Sequence, residues 1–325
     1  MKKYKNIFKN MNTKIKTAES VSPKHPDKIC DRIADALLDA YLAGDPNSRV
    51  AVEVMGGHGK ISISGEVTSN SEVDVPKIIK EVTGGDYEIH IYLVKQSTFI
   101  AQGVDTGGAG DQGIMIGYAE RGAENFMPLE YELARKLCQG IYEKYPFDGK
   151  TQVTIEGDKV KTVVVSFQNT KTEELEKLAG ELIIADEYLI NPAGEWTSGG
   201  FDADSGLSGR KIVVDNYGPE TGVGGGSFSG KDYTKVDRSG AYMARRIAVD
   251  YLKENSNVNS VRVKLAYAIG KKDPVMAVVE LDGQEAPIEG YDLTPKGIYK
   301  FLELDKVKWA ETAEWGHFGR KFTWG

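Results

Sequence analysis

The feature that most constrains the fold is a unit of helix, β-hairpin and helix that occurs three times in the 325 residues. The first copy has an amphipathic helix, then two alternating segments that meet at a glycine-rich turn, then a second helix. The same order starts again at residues 127 and 237, and the second hairpin is predicted to turn at Gly157 and Asp158. The copies share no detectable identity, and mixed α/β chains can show such runs by chance. A real repeat predicts an α+β fold of three layers, each a small antiparallel sheet with helices on one face, packed helix face to helix face.

Composition narrows the classes of ligand and compartment. The net charge is −7 and the pI ≈ 5.4, an acidic balance that argues against a nucleic-acid binder. A local cluster of Lys and Arg in such a chain therefore indicates a small polyanionic ligand. Cys30 and Cys138 fall in helical patterns and are expected to be buried reduced thiols, which is typical of a cytoplasmic protein. No segment has the ~20 apolar residues of a membrane-spanning helix.

Residues 1–16 form a basic segment without an apolar run long enough for a secretory signal. We interpret them as a disordered tail, or as sequence upstream of a start at Met11. The alternative is contact with a membrane surface as an amphipathic helix, for which one-sided charge alone is weak support.

The stretch GVGGGSFSGKD at 222–232 contains G-x-x-x-x-G-K, the beginning of a phosphate-binding P-loop. That motif continues with a Ser or Thr that binds magnesium, whereas this chain has Asp232. A P-loop also joins a buried strand directly to a helix. Here the predicted strand at 211–215 ends well before the glycines, and the next helix is predicted to begin near Asp237. Glycines and lysines suit a polyanion, but in a different architecture.

Loops and hairpin entrances collect the charged side chains that a metal-bound polyphosphate needs. The cations are Lys150, Arg210, Lys211, Lys231 and Lys235. Asp27 and Asp237 offer hard oxygen ligands for magnesium, and His25 is the best acid–base candidate among four histidines.

These positions also have purely structural interpretations. The segment with His25, Asp27 and Lys28 begins a helix, so it could bind a phosphate–metal complex or only cap that helix. Arg210 and Lys211 enter the predicted strand, where neighbouring side chains point to opposite faces, so a single ligand would have to reach around them. Taken alone, this pair is expected to be solvated.

Several motifs resemble the S-adenosylmethionine synthetase (methionine adenosyltransferase) family. GAGDQGIMIGY at 108–118 and GGGSFSGKD at 224–232 look like its two signature motifs. The segments that follow the family in the same order are ESVSPKHPDKI at 19–29, KQSTFIAQGVD at 95–105, GLSGRKIVVDNYG at 206–218, KVDRSGAYMAR at 235–245 and ETAEWGHFGR at 311–320. The resemblance covers nearly everything from Thr17 onward. It implies three similar α+β domains about a pseudo-threefold axis, in agreement with the repeat.

The resemblance divides the chain into a tail and three domains. The tail is 1–16, and the N-terminal, central and C-terminal domains are 17–105, 106–203 and 204–325. We expect strands to be exchanged between these units.

The resemblance also implies an enzyme of one-carbon metabolism that makes S-adenosylmethionine from ATP and L-methionine. The methionine sulfur attacks C5′ of ATP and expels intact tripolyphosphate, which is then hydrolysed to phosphate and pyrophosphate. A thioether has no proton to lose, so the attack needs no general base. Negative charge grows on the leaving group, where metal ions and fixed cations stabilise it. The family uses Mg²⁺, two per site, and K⁺.

Roles follow from the resemblance position by position. The residues that act on the departing triphosphate are His25, which interacts with the bridging oxygen, and Lys150, Arg210, Lys211 and Lys231. The other ATP-site residues are Asp148, Asp204, Ser227 and Trp196, the last in place of a phenylalanine that stacks on adenine. The methionine-site residues are Glu66, Gln96, Asp111, Asp204 and Lys235. The metal ligands are Asp27 and Asp237 for magnesium and Glu53 for potassium.

Three features depart from the family pattern. The loop after GVD, a mobile lid in the family, is shortened to Thr106 and Gly107 before GAGDQG, so we expect weaker exclusion of water and relaxed selectivity for methionine. Glu195 stands near the adenine site where a basic residue is common. The connections at 169–190 and 283–305 are short, which would remove contacts that build tetramers.

Active sites of the family lie between two subunits, so we predict a homodimer, with a tetramer as the alternative and neither nucleic acid nor membrane as partner. Three other functions stay open. They are a P-loop-like NTPase that makes ADP without methionine, a non-catalytic homologue, and an enzyme that accepts methionine analogues. A non-catalytic homologue would lack His25, the metal aspartates or the lysines, and this chain has all of them.

Overall fold

The computed structural model describes residues 14–96 and 107–325, and these contain three four-stranded sheets. Within the described residues, the predicted order of helix, hairpin and helix is present three times, which confirms the α+β fold. The tail residues 1–13 and the shortened loop, up to Thr106, lie outside the described part, and the predictions for them stay predictions.

The first sheet carries one open face and one face covered by helices. Its strands are β2 (Arg49–Gly57), β3 (Lys60–Thr68), β4 (Glu88–Val94) and β9 (Gly206–Leu207), in the order β4-β3-β2-β9, and its helices are α1 (Pro26–Gly44) and α2 (Val75–Thr83). Strands β3 and β4 are parallel, and the other pairs are antiparallel. Along β2, Val50, Val52 and Val54 are buried toward α1, whereas the alternate residues Glu53 and Met55 are exposed.

The second sheet has a core of its own. Its strands are β1 (Ile15–Val21), β6 (Gly149–Glu156), β7 (Lys159–Phe167) and β8 (Glu187–Ile190), in the order β1-β6-β7-β8, and its helices are α3 (Leu129–Lys144) and α4 (Thr172–Leu182). The β6–β7 hairpin turns at the predicted Gly157, whose φ of +61° is a conformation that glycine adopts without strain. Val153, Val163 and Val165 of this hairpin are fully buried among side chains of α3 and α4.

The third sheet is antiparallel throughout. Its strands are β5 (Gly113–Glu120), β10 (Ser260–Tyr267), β11 (Met276–Leu281) and β12 (Gln284–Pro287), in the order β12-β11-β10-β5, and its helices are α6 (Val236–Glu254), α7 (Pro295–Phe301) and α8 (Trp309–Thr312). A Cβ at Gly117 of β5 would lie 2.0 Å from the carbonyl oxygen of Ala244, so glycine lets α6 approach the sheet. The buried apolar residues of the first and third layers belong to one core.

Each sheet includes one strand from a distant part of the chain. Strand β1 precedes α1 but pairs with β6 in the second sheet, β5 pairs with β10 in the third, and β9 pairs with β2 in the first. The segments that enter and leave these strands therefore run between layers. They carry the glycine-rich stretches and most of the candidate site residues.

The predicted strand at 211–215 is wrong, because Ile212–Asp215 form a short helix, α5. The N–H of Asp215 donates to the carbonyl of Lys211 at 2.7 Å, the i to i−4 bond of a helical turn. The buried carboxylate of Asp215 also binds the ammonium group of Lys28. This tertiary ion pair outweighs the local preference of the Ile-Val-Val sequence for a strand.

Both cysteines are buried and free, as predicted. Burial raises the pKa of the Cys138 thiol to about 12. Among the helices of residues 14–96 and 107–325, none combines the length and the apolarity needed to cross a membrane.

Candidate active site

His25 caps the N-terminus of α1. Its Nδ1 accepts a hydrogen bond from the backbone N–H of Asp27 at 3.2 Å, so the neutral ring carries its proton on Nε2. Burial, followed by the positive charges of Lys211 and Lys150, lowers the pKa of His25 to about 3. At neutral pH His25 is therefore a neutral hydrogen-bond donor and does not act as an acid–base group that titrates near pH 7.

Asp27, in the first turn of α1, brings two cations to one buried carboxylate. Its Oδ1 accepts from the N–H of Leu207 at 2.9 Å and lies 3.5 Å from Nε of Arg210, and its Oδ2 lies 2.5 Å from Nζ of Lys211. Burial opposes ionisation, but the hydrogen bonds from Lys211 and Leu207 hold the pKa of Asp27 below its usual value. The expectation that Arg210 and Lys211 point apart is wrong, because they precede a helical turn and both approach Asp27.

Lys150 and Asp204 complete the surroundings of His25. Burial lowers the pKa of His25 most. The positive charge of Lys150, on β6, lowers it further, and the negative charge of Asp204 raises it. Asp148, just before β6, accepts the N–H of Gly200 at 2.9 Å, and burial raises its pKa. The carbonyl of Gly200 accepts the N–H of Asp204 at 3.1 Å, so Asp148 holds the turn that carries Asp204.

A second carboxylate–cation pair lies at the glycine-rich stretch. Nζ of Lys231 is 2.8 Å from Oδ2 of Asp237, and both side chains are largely shielded from solvent. A Cβ at Gly226 would lie 2.3 Å from Oδ1 of Asp237, so only glycine lets the loop backbone approach this carboxylate. Glu53 on β2 is exposed as a residue, but desolvation of its carboxyl group raises its pKa, and the nearby charge of Lys231 opposes that rise.

The segment 207–209 connects two groups of site residues, the first around Asp27 and the second around Asp237, Lys231 and Glu53. Its first residue donates to Asp27, and the hydroxyl of Ser208 donates to Oε2 of Glu53 at 2.5 Å. Gly209, with φ of +75°, packs on Ser227, whose Oγ would be 2.6 Å from a Cβ at this glycine. Three consecutive residues therefore hold side chains from α1, from β2 and from the glycine-rich stretch.

The residues assigned to methionine come from several elements. Glu66 is exposed on β3 opposite Ala51, which also forms a bridge with Lys231, so Glu66 lies beside the second group. Asp111 is exposed just before β5. Gln96 is the last described residue before the gap at 97–106.

Trp196 and Glu195 are adjacent but face different neighbours. Nε1 of Trp196 donates to Oγ of Ser166 at 3.2 Å. Glu195 forms an ion pair with Lys171 at 2.8 Å and accepts the N–H of Thr172 at 3.0 Å. The unexpected acidic residue therefore stabilises the start of α4.

Two charged residues have roles that the sequence does not reveal. Lys28, a candidate for a phosphate–metal site, is 1 % exposed and bound to Asp31 and Asp215, so it belongs to the core. The sequence marks Asp232 only as a departure from the P-loop, but its carboxylate is buried and lies 2.5 Å from Nζ of Lys235. Its place directly after the phosphate-binding candidate Lys231 is the one signal that could have indicated a role.

The arrangement fits a metal that arrives with a polyphosphate. A cavity of about 360 Å³ opens beside Arg210 and Lys211 and is also lined by Glu19. In the part of the chain that the structure describes, no three His, Cys, Asp or Glu side chains group so as to hold a metal by themselves. Asp27 and Asp237 instead offer one carboxylate each. This is the usual pattern for Mg²⁺, which keeps several waters and binds substrate phosphates with one or two carboxylates.

Comparison with known proteins identifies the family. Models of the N-terminal, central and C-terminal domains of S-adenosylmethionine synthetase match residues 13–99, 106–196 and 198–325. The S-adenosylmethionine synthase of Mycoplasmopsis synoviae (strain 53) is 41% identical over 361 aligned positions, covering 96% of this chain and 94% of the relative. That of Nocardia farcinica (strain IFM 10152) is 38% identical, covering 95% and 93%.

A solved structure agrees with the sequence comparisons. The structure described as an unusual S-adenosylmethionine synthetase from Campylobacter jejuni superposes with a TM-score of 0.86 at 33% identity, over 95% of this chain and 96% of that one. The resemblance read from the motifs is thereby confirmed along nearly the whole chain. The chain belongs to the S-adenosylmethionine synthetase family.

Proposed function

We propose that the chain synthesises S-adenosylmethionine from ATP and L-methionine, with tripolyphosphate as the leaving group and its hydrolysis to phosphate and pyrophosphate as a second step. The main support is the pair of shielded carboxylate–lysine contacts, Asp27–Lys211 and Asp237–Lys231, on either side of the segment 207–209. A ligand that carries several phosphates and a divalent metal fits these contacts, because its phosphates can bind the lysines and its metal can bind the aspartates.

The protein groups stabilise the leaving triphosphate rather than activate the nucleophile. Lys150, Arg210, Lys211 and Lys231 are fixed cations for the growing negative charge, and preorganised charge of this kind usually contributes more to an enzyme's rate enhancement than any other single effect. Neutral His25, with its proton on Nε2, donates a hydrogen bond to the bridging oxygen as that oxygen leaves C5′. Attack by the thioether sulfur releases no proton, so the site needs no base.

Two Mg²⁺ at Asp27 and Asp237 and one K⁺ at Glu53 are part of the proposal. Magnesium bound to the phosphates supplies positive charge to the leaving group. Lys211 and Lys231 neutralise the same two carboxylates in this structure, and with Mg²⁺ held by Asp27 and Asp237 their ammonium groups would be available to phosphate oxygens. Glu53 and the Ser208 hydroxyl beside it would supply two oxygen ligands for K⁺.

The remaining ligand contacts are assigned by position. For ATP they involve Asp148, Asp204, Ser227 and Trp196, and for methionine Glu66, Gln96, Asp111, Asp204 and Lys235.

We propose a homodimer with the site at the subunit interface. Glu53 shares the open face of the first sheet with Met55 and Tyr92, which are 52% and 62% exposed. Exposed apolar residues beside a charged site favour a partner surface there. Sedimentation at the working concentration should show a dimer, and an active monomer would contradict the proposal. A cytoplasmic location, supported by the two free cysteines, belongs to the same proposal.

The function is tested by incubating the chain with ATP, methionine, Mg²⁺ and K⁺ and measuring the sulfonium product by mass spectrometry. Formation of ADP without methionine would instead favour an NTPase. That alternative has little support, because both carboxylate oxygens of Asp232 are bonded to protein donors where a P-loop has its magnesium-binding hydroxyl. Turnover of ethionine in the same assay tests relaxed selectivity.

Replacing Trp196 with Ala should raise the KM for ATP about 5- to 140-fold, because stacking of a base on an aromatic ring contributes ~1–3 kcal/mol. The Trp196→Phe variant keeps a π-face and should stay within about threefold of the parent. Steady-state kinetics with ATP varied at saturating methionine give both values. An unchanged KM in Trp196→Ala, or equal losses in both variants, would rule out adenine stacking on this side chain.

A further inference from the structure

Asp232 has a full set of hydrogen bonds although it is 1 % exposed. Its Oδ1 accepts from the N–H of Val50 at 2.8 Å and from Nζ of Lys235 at 2.5 Å. Its Oδ2 accepts from the N–H of Thr234 at 2.9 Å and from the hydroxyl of Thr234 at 2.7 Å. One buried carboxylate therefore joins strand β2, the end of the glycine-rich stretch and a lysine of the methionine site.

The backbone around Asp232 pairs the glycine-rich stretch with β2. The N–H of Asp232 donates to the carbonyl of Val50 at 3.2 Å, and the N–H of Val52 donates to the carbonyl of Gly230 at 3.2 Å. Lys231 forms an isolated bridge with Ala51 between these two bonds. The Asp232 side chain thus adds to a short ladder that fixes the phosphate-binding candidate Lys231.

Asp232 binds both the backbone and the side chain of Lys235. Its N–H donates to the carbonyl of Asp232 at 3.1 Å, and its ammonium group meets the Asp232 carboxylate. The lysine side chain is only 11% exposed, so an ammonium group in this place needs a compensating charge. Lysine has four rotatable bonds in its stem, and a salt bridge to a rigid carboxylate removes most of that freedom.

We propose that Asp232 is a positioning residue for catalysis, which sets the location of the Lys235 ammonium group and does not itself contact substrate. The proposal rests on the role of Lys235 at the methionine site given under the proposed function. An Asn in this place would keep an oxygen acceptor for only one of the two backbone N–H groups, as it would at any carboxylate that accepts on both oxygens, and would also lose the charge that holds Lys235. A displacement of about 1 Å in a positioning group can reduce the rate about 10²-fold.

The test compares Asp232→Asn with a matched control. In Asp232→Asn, kcat/KM for methionine should fall about 10- to 100-fold, while KM for ATP should change less than about threefold. Asp45→Asn is the control, because Asp45 is also mostly buried and accepts the backbone N–H groups of Asn47 and Asn70 at 3.0 and 2.9 Å, one on each carboxylate oxygen, but binds no lysine of the described residues 14–96 and 107–325. The control should keep the parent kinetics.

A double-mutant cycle separates positioning from support of the loop. If Asp232 acts through Lys235, then Asp232→Asn should lower kcat/KM for methionine only slightly when Lys235 is already replaced with Met. The losses in kcat/KM of the two single variants should therefore be far from additive. Additive losses, or equal losses for ATP and methionine, would mean that Asp232 only supports the loop, and the proposal would be overturned. Parent protein without sulfonium formation would instead refute the proposed function.

A measurement on the parent chain covers the case in which Asp232→Asn does not fold. An ammonium group bound to a buried carboxylate exchanges its protons slowly, so Lys235 should give a ¹H–¹⁵N ammonium resonance at neutral pH that is lost in Lys235→Met. If no resonance depends on Lys235, its ammonium group is not held by Asp232 and the proposal fails.

Discussion

Replacing Lys231 with Met should lower kcat/KM for sulfonium formation about 10²- to 10³-fold, the usual cost of losing one preorganised charge at a developing anion. The ammonium group of Lys231 lies 2.8 Å from Asp237, with its side chain only 17% exposed, so its charge is already at the site when the triphosphate binds. Glycine backbone closes over the same carboxylate at Gly226. Methionine keeps an unbranched side chain, one atom shorter, and removes the ammonium group with its charge and its hydrogen-bond donors.

The matched control for this substitution is Lys80→Met. Lys80, in the last turn of α2, contacts Asp86 at the same 2.8 Å, but on the exposed surface, with its side chain 64% exposed. The control should retain the activity of the parent chain. If kcat/KM of Lys231→Met stayed within about threefold of the parent value, Lys231 would have no role at the phosphate site.

Replacing Asp27 with Asn should have an effect of similar size, about 10²- to 10³-fold on kcat/KM, for two reasons. The variant loses a charged oxygen ligand for magnesium, and it leaves Lys211, whose side chain is 12% exposed, without its carboxylate. The Mg²⁺ dependence should shift to higher concentrations as well. Initial rates measured across a magnesium titration, with folding checked by circular dichroism, give both quantities.

Asp186→Asn is the control for Asp27→Asn, because Asp186 also receives two cations. Lys159 and Lys161 lie 2.8 and 2.7 Å from its carboxylate oxygens, at an exposed position between β7 and β8. We expect the parent rate and the parent magnesium dependence from the control. If Asp27→Asn showed both of these as well, Asp27 would have no metal role.

The layers of the fold could be predicted because their signals are local. Alternating residues in β2 and β3, the glycine turn at Gly157 and the amphipathic faces of α1 and α6 each follow from a few neighbouring residues. The segment that forms α5 could not be predicted in the same way. Its β-branched residues favour a strand, and the contact that decides otherwise joins Asp215 to Lys28, 187 positions away.

The composition of the site could be predicted, but not its pairings. Glycines, lysines and aspartates on loops indicated a polyanion, and the motifs indicated which residues to assign. The ion pair of Asp27 with Lys211 spans 184 positions, and the hydrogen bond of Ser208 with Glu53 spans 155. Such pairings depend on how β9 docks on β2, which no local pattern specifies. The burial of Lys28 and the part played by Asp232 were missed for the same reason.

The most direct test is a crystal structure with a non-hydrolysable ATP analogue, methionine and Mg²⁺. We expect phosphate oxygens within about 2.7–3.2 Å of the cationic groups of Lys150, Arg210 and Lys231, with metal beside Asp27 and Asp237. A triphosphate bound away from these three cations, with the Asp27–Lys211 and Asp237–Lys231 pairs still closed, would contradict the proposed chemistry.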